Sequence, residues 1–328
     1  GGWSLRWRGS EGDDSWYGGR GTTVVEGIEH VTGTRPNYIS GVDINGVWEE
    51  NGKEKLAAAV QSVDKVIVCL GEDTYAEFGG NLDELSLPQG QIDLVRHIAD
   101  NSSADIITLL IQGRPRLLKN VPTLSSAVIN CFLPGPWAGI PIAEVLYGMT
   151  NPSGRMSFTY PRYELQSTTT YWQGIYNYTN ISGGSSYYNP EWAFGYGLGY
   201  SDISYSDIFL SSDVLDLEDG SLTVKIKVTN HGPYDAKEPI LLYLTQQVRP
   251  GYVPDAYRLK AFDKVDLAVN ESKEVSFVIT KQGLEYYGRD LQKHVDSGVK
   301  FTITINAFLD HEKTAEFSTS GQYKFARN

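Results

Sequence analysis

The chain has 328 residues, 41% of them hydrophobic, enough for packed cores and too long for one ordinary domain. Its 28 basic residues face 40 acidic ones, a net charge of −12 with no offsetting basic cluster, which excludes nucleic acid as a partner class. No apolar run approaches the roughly 20 residues of a membrane helix, and two cysteines cannot form a disulfide framework.

Residues 1–20 (GGWSLRWRGSEGDDSWYGGR) carry three tryptophans and six glycines with no helical or strand period. This is a loop whose rings can either plug a core edge or stack on a sugar face. Residues 22–31 predict a short amphipathic helix with Val24, Val25, Ile28 and Val31 on one face, and residues 38–44 a strand. A second helix is predicted over 51–63, with Leu56, Ala59, Val60 and Val63 turned inward. Strand 65–70 runs into Gly71 and a loop bearing Glu72, Glu77 and Glu84 among Gly79, Gly80 and Asn81, and Pro88 opens a helix over about 89–100. Residues 104–111 (ADIITLLI) and 126–133 lack polar alternation, as strands buried on both faces do. Gly113-Arg-Pro turns the chain between them, and a helix follows at 139–148. Cys69 and Cys131 fall inside such apolar runs and read as buried thiols. Without CxxC or paired-His spacing, no metal site and no cofactor is expected.

Helices alternating with uniformly apolar strands predict an α/β sandwich, a mostly parallel sheet with helices on both faces, over residues 1–162. Residues 163–206, rich in Ser, Thr, Tyr, Asn and Gly, read as an irregular connector. Over 207–328 the runs LTVKIKVTN, PILLYLTQQ, KEVSFVITK and VKFTITINAF alternate between turn signals, predicting an all-β, fibronectin type III-like sandwich. Asn101, Asn177, Asn180 and Asn270 each head an N-glycosylation sequon, which favours a secreted protein or one of a vacuole- or lysosome-like compartment. The chain opens on Gly1 without a signal peptide, so it reads as the remainder after a cleavage or as a piece of something longer.

Three glutamates on a strand-end loop suit acid/base work on a polar substrate or mere solvation, and the residues alone leave both open. A series of motifs bears on the choice: Gly1-Gly-Trp-Ser-Leu-Arg-Trp-Arg-Gly, Gly71-Glu-Asp-Thr-Tyr-Ala-Glu, Leu87-Pro88 through Gln91, Gly113-Arg-Pro, Leu133-Pro-Gly, Leu146-Tyr-Gly through Asn151-Pro-Ser-Gly-Arg, and Phe194-Gly-Tyr-Gly-Leu-Gly-Tyr. In this order and spacing they resemble the C-terminal part of glycoside hydrolase family 3 enzymes. These are β-glucosidases and exo-β-glucanases built from a barrel, an α/β sandwich domain and often a fibronectin-like domain.

The resemblance implies a retaining mechanism, with an aspartate nucleophile on the barrel and an acid/base glutamate on the second domain, carboxyls about 5–5.5 Å apart. It places that acid/base at Glu77, with Glu72 as the competing candidate and a solvated loop carboxylate as the plain alternative. Partial desolvation by Tyr75 and Phe78 is expected to raise the Glu77 pKa. Trp7 matches a family tryptophan that walls the outer glucose subsite. The chain departs from the family at Thr74 (often Pro), Arg8 (often Gln) and Asn81 (often Asp). Neither the barrel nor the strand that precedes the GGW motif is present. The expected partners are therefore an N-terminal barrel chain of the same enzyme and a β-glucoside or β-glucan oligosaccharide, with self-association into a homodimer left open; alone, the chain is expected to hydrolyse nothing. The competing reading is a non-catalytic carbohydrate-binding or assembly scaffold.

Overall fold

A computed structural model describes residues 14–167, 170–172 and 188–322. The chain divides into two compact units, residues 1–150 with 161–164, and residues 151–160 with 165–328.

The first unit is built on a three-stranded parallel sheet, β1 (Lys65–Gly71), β2 (Asp105–Ile111) and β3 (Ala127–Phe132), in that spatial order. Its helices are α1 (Val24–Thr32), α2 (Gly52–Val60), α3 (Gln89–Asn101), the single turn α4 (Val121–Leu124) and α5 (Gly139–Leu146). Helix α1 starts at a capping box. The Thr23 hydroxyl accepts from the Glu26 amide, the Glu26 carboxylate accepts from the Thr23 amide, and Gly33 closes the other end in the left-handed region at φ 73°. Helices α1 and α5 touch backbone to backbone, since a Cβ on Gly27 would lie 2.0 Å from the Gly139 carbonyl oxygen. The core gathers on the central strand. Leu109 and Leu110 of β2 and Val95 of α3 are wholly buried, each burial worth about 1.5–3 kcal/mol.

The structure corrects three expectations. Residues 38–44 form no strand; only an antiparallel bridge joins Val42 to Trp48. Helix α2 stops at Val60, which leaves Val63 exposed. Cys69 is not buried either. It keeps an exposed surface on edge strand β1, although the protein around its thiol still raises it to about 11 by desolvation. Cys131, half-buried, is raised to about 12, first by burial and then by Cys69 nearby.

The second unit is a β-sandwich. Its strands are β4 (Ile203–Tyr205), β5 (Phe209–Leu210), β6 (Val214–Asp216), β7 (Ser221–Asn230), β8 (Ala236–Gln246), β9 (Arg258–Leu267), β10 (Ser272–Thr280), β11 (Tyr286–Tyr287), β12 (Lys293–His294), β13 (Lys300–Ile305) and β14 (Lys313–Ser320). One sheet runs β10-β7-β4 with β5 also on β7, the other β6-β14-β13-β8-β9, and β11 pairs with β12. Alternation is strict in β7, where Leu222, Val224, Ile226 and Val228 face a core shared with Ile240, Leu242 and Ile303. An α/β sandwich followed by a fibronectin type III-like sandwich is the fold class the sequence predicts.

Candidate active site

The three strands of the first unit are parallel, so the loops at their carboxyl ends converge. A methyl group on Gly113, after β2, would lie 2.4 Å from the Tyr75 hydroxyl of the β1 loop and 3.0 Å from Leu133 Cδ1, after β3. The start of the β1 loop is pinned by Gln91 of α3. Gln91 accepts from the Gly71 amide at 2.9 Å and donates to the Gly71 carbonyl at 3.0 Å and to the Ile44 carbonyl at 2.6 Å.

The loop gives its three glutamates three different situations. Glu72 is buried, its side chain 6% exposed, and its Oε1 accepts from Arg114 Nε at 2.9 Å and from Arg116 Nη1 at 2.6 Å. Arg114 and Arg116 flank Pro115, so an extended backbone turns both side chains to the same face. Arg116 also donates to the Leu85 and Ser86 carbonyls, and Ser86 bridges Leu117 in parallel fashion. Arg114 donates to the Gly80 carbonyl and lies over the Tyr75 ring, 4.2 Å from its centroid. Glu84 is an exposed carboxylate farther along.

Glu77 stands at the tip. It opens a short 3-10 turn, Glu77–Gly80, with its backbone at φ 48°, and among the described residues its carboxylate makes no hydrogen bond or ion pair. A non-glycine residue in this region costs on the order of 1–3 kcal/mol and persists only where its surroundings impose it. Ala76, 2% exposed, is the plug that roots the tip in the fold. Neither neighbour desolvates Glu77 as expected. Tyr75 is taken up by Arg114, and Phe78 is itself 86% exposed.

Trp7 lies outside the described residues. Residues 17 and 22 are tied to the β3–α5 loop. Thr22 donates to the Pro136 carbonyl at 2.8 Å, and buried Tyr17 meets Trp137 edge to face at 5.6 Å. Half-exposed Trp137 and the arginine pair are not among the site residues the sequence predicts. Arg114 falls within the Gly113-Arg-Pro motif, and the cue to the pair is their alternation around Pro115. Of the sequons, Asn177 and Asn180 lie outside the described residues. Asn101 spends its amide on the His97 carbonyl at the end of α3, while Asn270 sits exposed at the β9–β10 turn with φ 65°.

The pattern "Glycosyl hydrolase family 3 C-terminal domain" matches residues 1–200, and "Fibronectin type III-like domain" matches residues 238–307. The chain belongs to the glycosyl hydrolase family 3 C-terminal domain family. It is 29% identical to a lysosomal β-glucosidase of Dictyostelium discoideum over 93% of this chain and 37% of that protein. It is 31% identical to thermostable β-glucosidase B of Acetivibrio thermocellus over 86% of this chain and 39% of that one. Among solved structures, the β-glucosidase of Listeria innocua in complex with gluconolactone superposes with a TM-score of 0.82 at 26% identity, covering 92% of this chain and 42% of the other. The family 3 chain thus spans about two fifths of the length of these relatives. A periplasmic β-glucosidase of Salmonella typhimurium is also similar to it, and no helix among the described residues is long and apolar enough to cross a membrane.

Proposed function

We propose that this chain supplies the general acid/base, Glu77, of a retaining, exo-acting β-glucosidase or β-glucan hydrolase. The nucleophile comes from a barrel segment outside these 328 residues. The observation that carries this reading is the sorting of the glutamates. Glu72 is consumed by two arginines, whereas Glu77 is held without a partner among the described residues, at the tip of a braced loop and at the carboxyl end of a parallel sheet.

The chemistry follows from that placement. In the first half-reaction the protonated Glu77 carboxyl gives its proton to the departing glycosidic oxygen while the barrel carboxylate attacks the anomeric carbon. In the second, the Glu77 carboxylate removes a proton from the water that frees the sugar. Seating the barrel against Phe78 would enclose Glu77 in the dry surroundings that favour its protonated form. Trp7 forms one wall of the outer glucose subsite in this reading. The relatives, lysosomal and periplasmic, point to a compartment outside the cytoplasm, where Asn270 is the better presented of the two sequons among the described residues.

The test uses the assembled enzyme. Native intact mass should first reveal a barrel-sized segment of about 250 residues or more, either continuous with this chain or co-purifying with it. With E77Q, kcat/KM on laminaribiose should fall by about 10²–10⁴, while kcat/KM on 2,4-dinitrophenyl β-glucoside, whose leaving group needs no proton, falls far less and azide restores the kcat lost at deglycosylation. Equal loss on both substrates rejects Glu77 as the acid/base. The absence of any such segment would favour the scaffold reading.

A further inference from the structure

Two arginines from the turn after β2 reach back over 42 and 44 residues to Glu72, and their remaining bonds go to different places. Arg116, 8% exposed, ends on Leu85 and Ser86, where the loop rejoins the fold beside Leu117. Arg114, its side chain 27% exposed, ends on the two residues that bracket the tip, Tyr75 through its ring and Gly80 through its carbonyl. Tyr75 is also approached closely by two glycines. A Cβ on Gly80 would come within 2.7 Å of its Cδ2, and one on Gly113 within 2.4 Å of its hydroxyl. Between these fixed points only residues 76–79 remain, with Ala76 buried and Glu77 in a left-handed conformation.

We propose that Arg114 is a positioning residue for the reaction: anchored by Glu72, it clamps Tyr75 and Gly80 and so fixes where the Glu77 carboxyl meets the glycosidic oxygen. This rests on Glu77 being the acid/base. Arg116, by contrast, secures the loop to the domain. A lysine cannot replace Arg114, because it lacks the planar fork that joins Glu72 to Gly80 and the flat face that lies on Tyr75.

The experiment compares R114M, R114K and E77Q in the barrel-containing enzyme, on methyl β-glucoside (a poor leaving group) and 2,4-dinitrophenyl β-glucoside (a good one). A displacement of about 1 Å at a reacting group costs on the order of 10²-fold. R114M should therefore lose about 10- to 100-fold in kcat/KM on methyl β-glucoside and less than about threefold in kcat/KM on the dinitrophenyl substrate, with R114K between wild type and R114M. E77Q should show the same split more strongly. If R114M and R114K lose both activities in equal proportion, or lose neither, while E77Q keeps its split, the positioning role is overturned and Glu77 stands. If E77Q shows no split, the acid/base reading fails and the proposal fails with it. Failure of both arginine variants to fold would assign Arg114 to stability and overturn the proposal as well.

Discussion

Glu238 sets a charge inside the β-sandwich, and the way its partners are arranged predicts an unusual mutational pattern. The residue is 4% exposed; Arg155 Nη2 donates to one carboxylate oxygen at 2.8 Å and the Tyr205 hydroxyl to the other at 2.7 Å. Burial, followed by the Glu238 carboxylate, pushes the Tyr205 phenol well above the ordinary tyrosine range, so it is a committed donor. E238M leaves a guanidinium only 11% exposed, and a buried phenol, without acceptors on that side chain; R155M leaves the carboxylate without its countercharge. Each single change should cost about 3–5 kcal/mol, because what remains is an uncompensated buried charge. The double variant R155M/E238M removes both charges and keeps apolar volume, and should return to within about 1–2 kcal/mol of the parent. Urea unfolding at pH 8, followed by circular dichroism, gives the four free energies of the cycle. If the double variant falls within about 0.5 kcal/mol of the sum of the singles, the two residues are not coupled and the reasoning is wrong.

Two further outcomes follow from titrating groups. His311 lies flat on Tyr205, ring centroids 4.8 Å apart and planes 4° from parallel, with Nε2 buried and unbonded. Burial lowers its pKa below the ordinary 6.5, helped by Arg155 and opposed by Glu238 and Asp310. The fold thus prefers the neutral ring: this contribution is intact above about pH 6.5 and lost as pH falls below it toward the lowered value. Melting temperatures from pH 8 to 5 should drop less in H311F than in the parent; parallel curves would show that His311 plays no part. Cys69 presents a surface to solvent, yet its pKa is raised from 9.0 to about 11. Its thiolate fraction at pH 8 is then about 100-fold below that of an ordinary cysteine, and iodoacetamide should react about that much more slowly with the native chain than with the urea-unfolded one. Equal rates would refute the desolvation.

How far the fold is legible depends on where each segment's hydrogen bonds go. Residues 104–111 announce a central strand because nothing polar interrupts them, and β7 announces a sandwich strand by alternation. Residues 38–44 carry similar apolar spacing, but Asp43 intervenes. Its carboxylate accepts from the amides of Asn45 at 3.0 Å and Val47 at 2.7 Å, and its own amide donates to the Val47 carbonyl. The local turn thereby outcompetes a sheet ladder. Strand β9 escaped notice because it is a sheet edge, where Asp263, Lys264 and Asp266 are exposed and the apolar period is diluted. At the site, the motif spacing brought Glu77 forward as a candidate. The fate of Glu72 was illegible, since it depends on arginines more than 40 residues away that meet it only once β1 and β2 lie side by side.

The left-handed backbone at Glu77 has an evolutionary consequence. Glycine or asparagine at that position would relieve on the order of 1 kcal/mol of strain, so a glutamate there is the less stable choice. A descendant of this chain released from any need for a carboxylate should drift toward one of those two residue types, with a gain in stability. Lineages that keep the glutamate would be those in which something selects against that relief. The identity of this one residue across relatives would then separate lineages under selection for a carboxylate from those released from it.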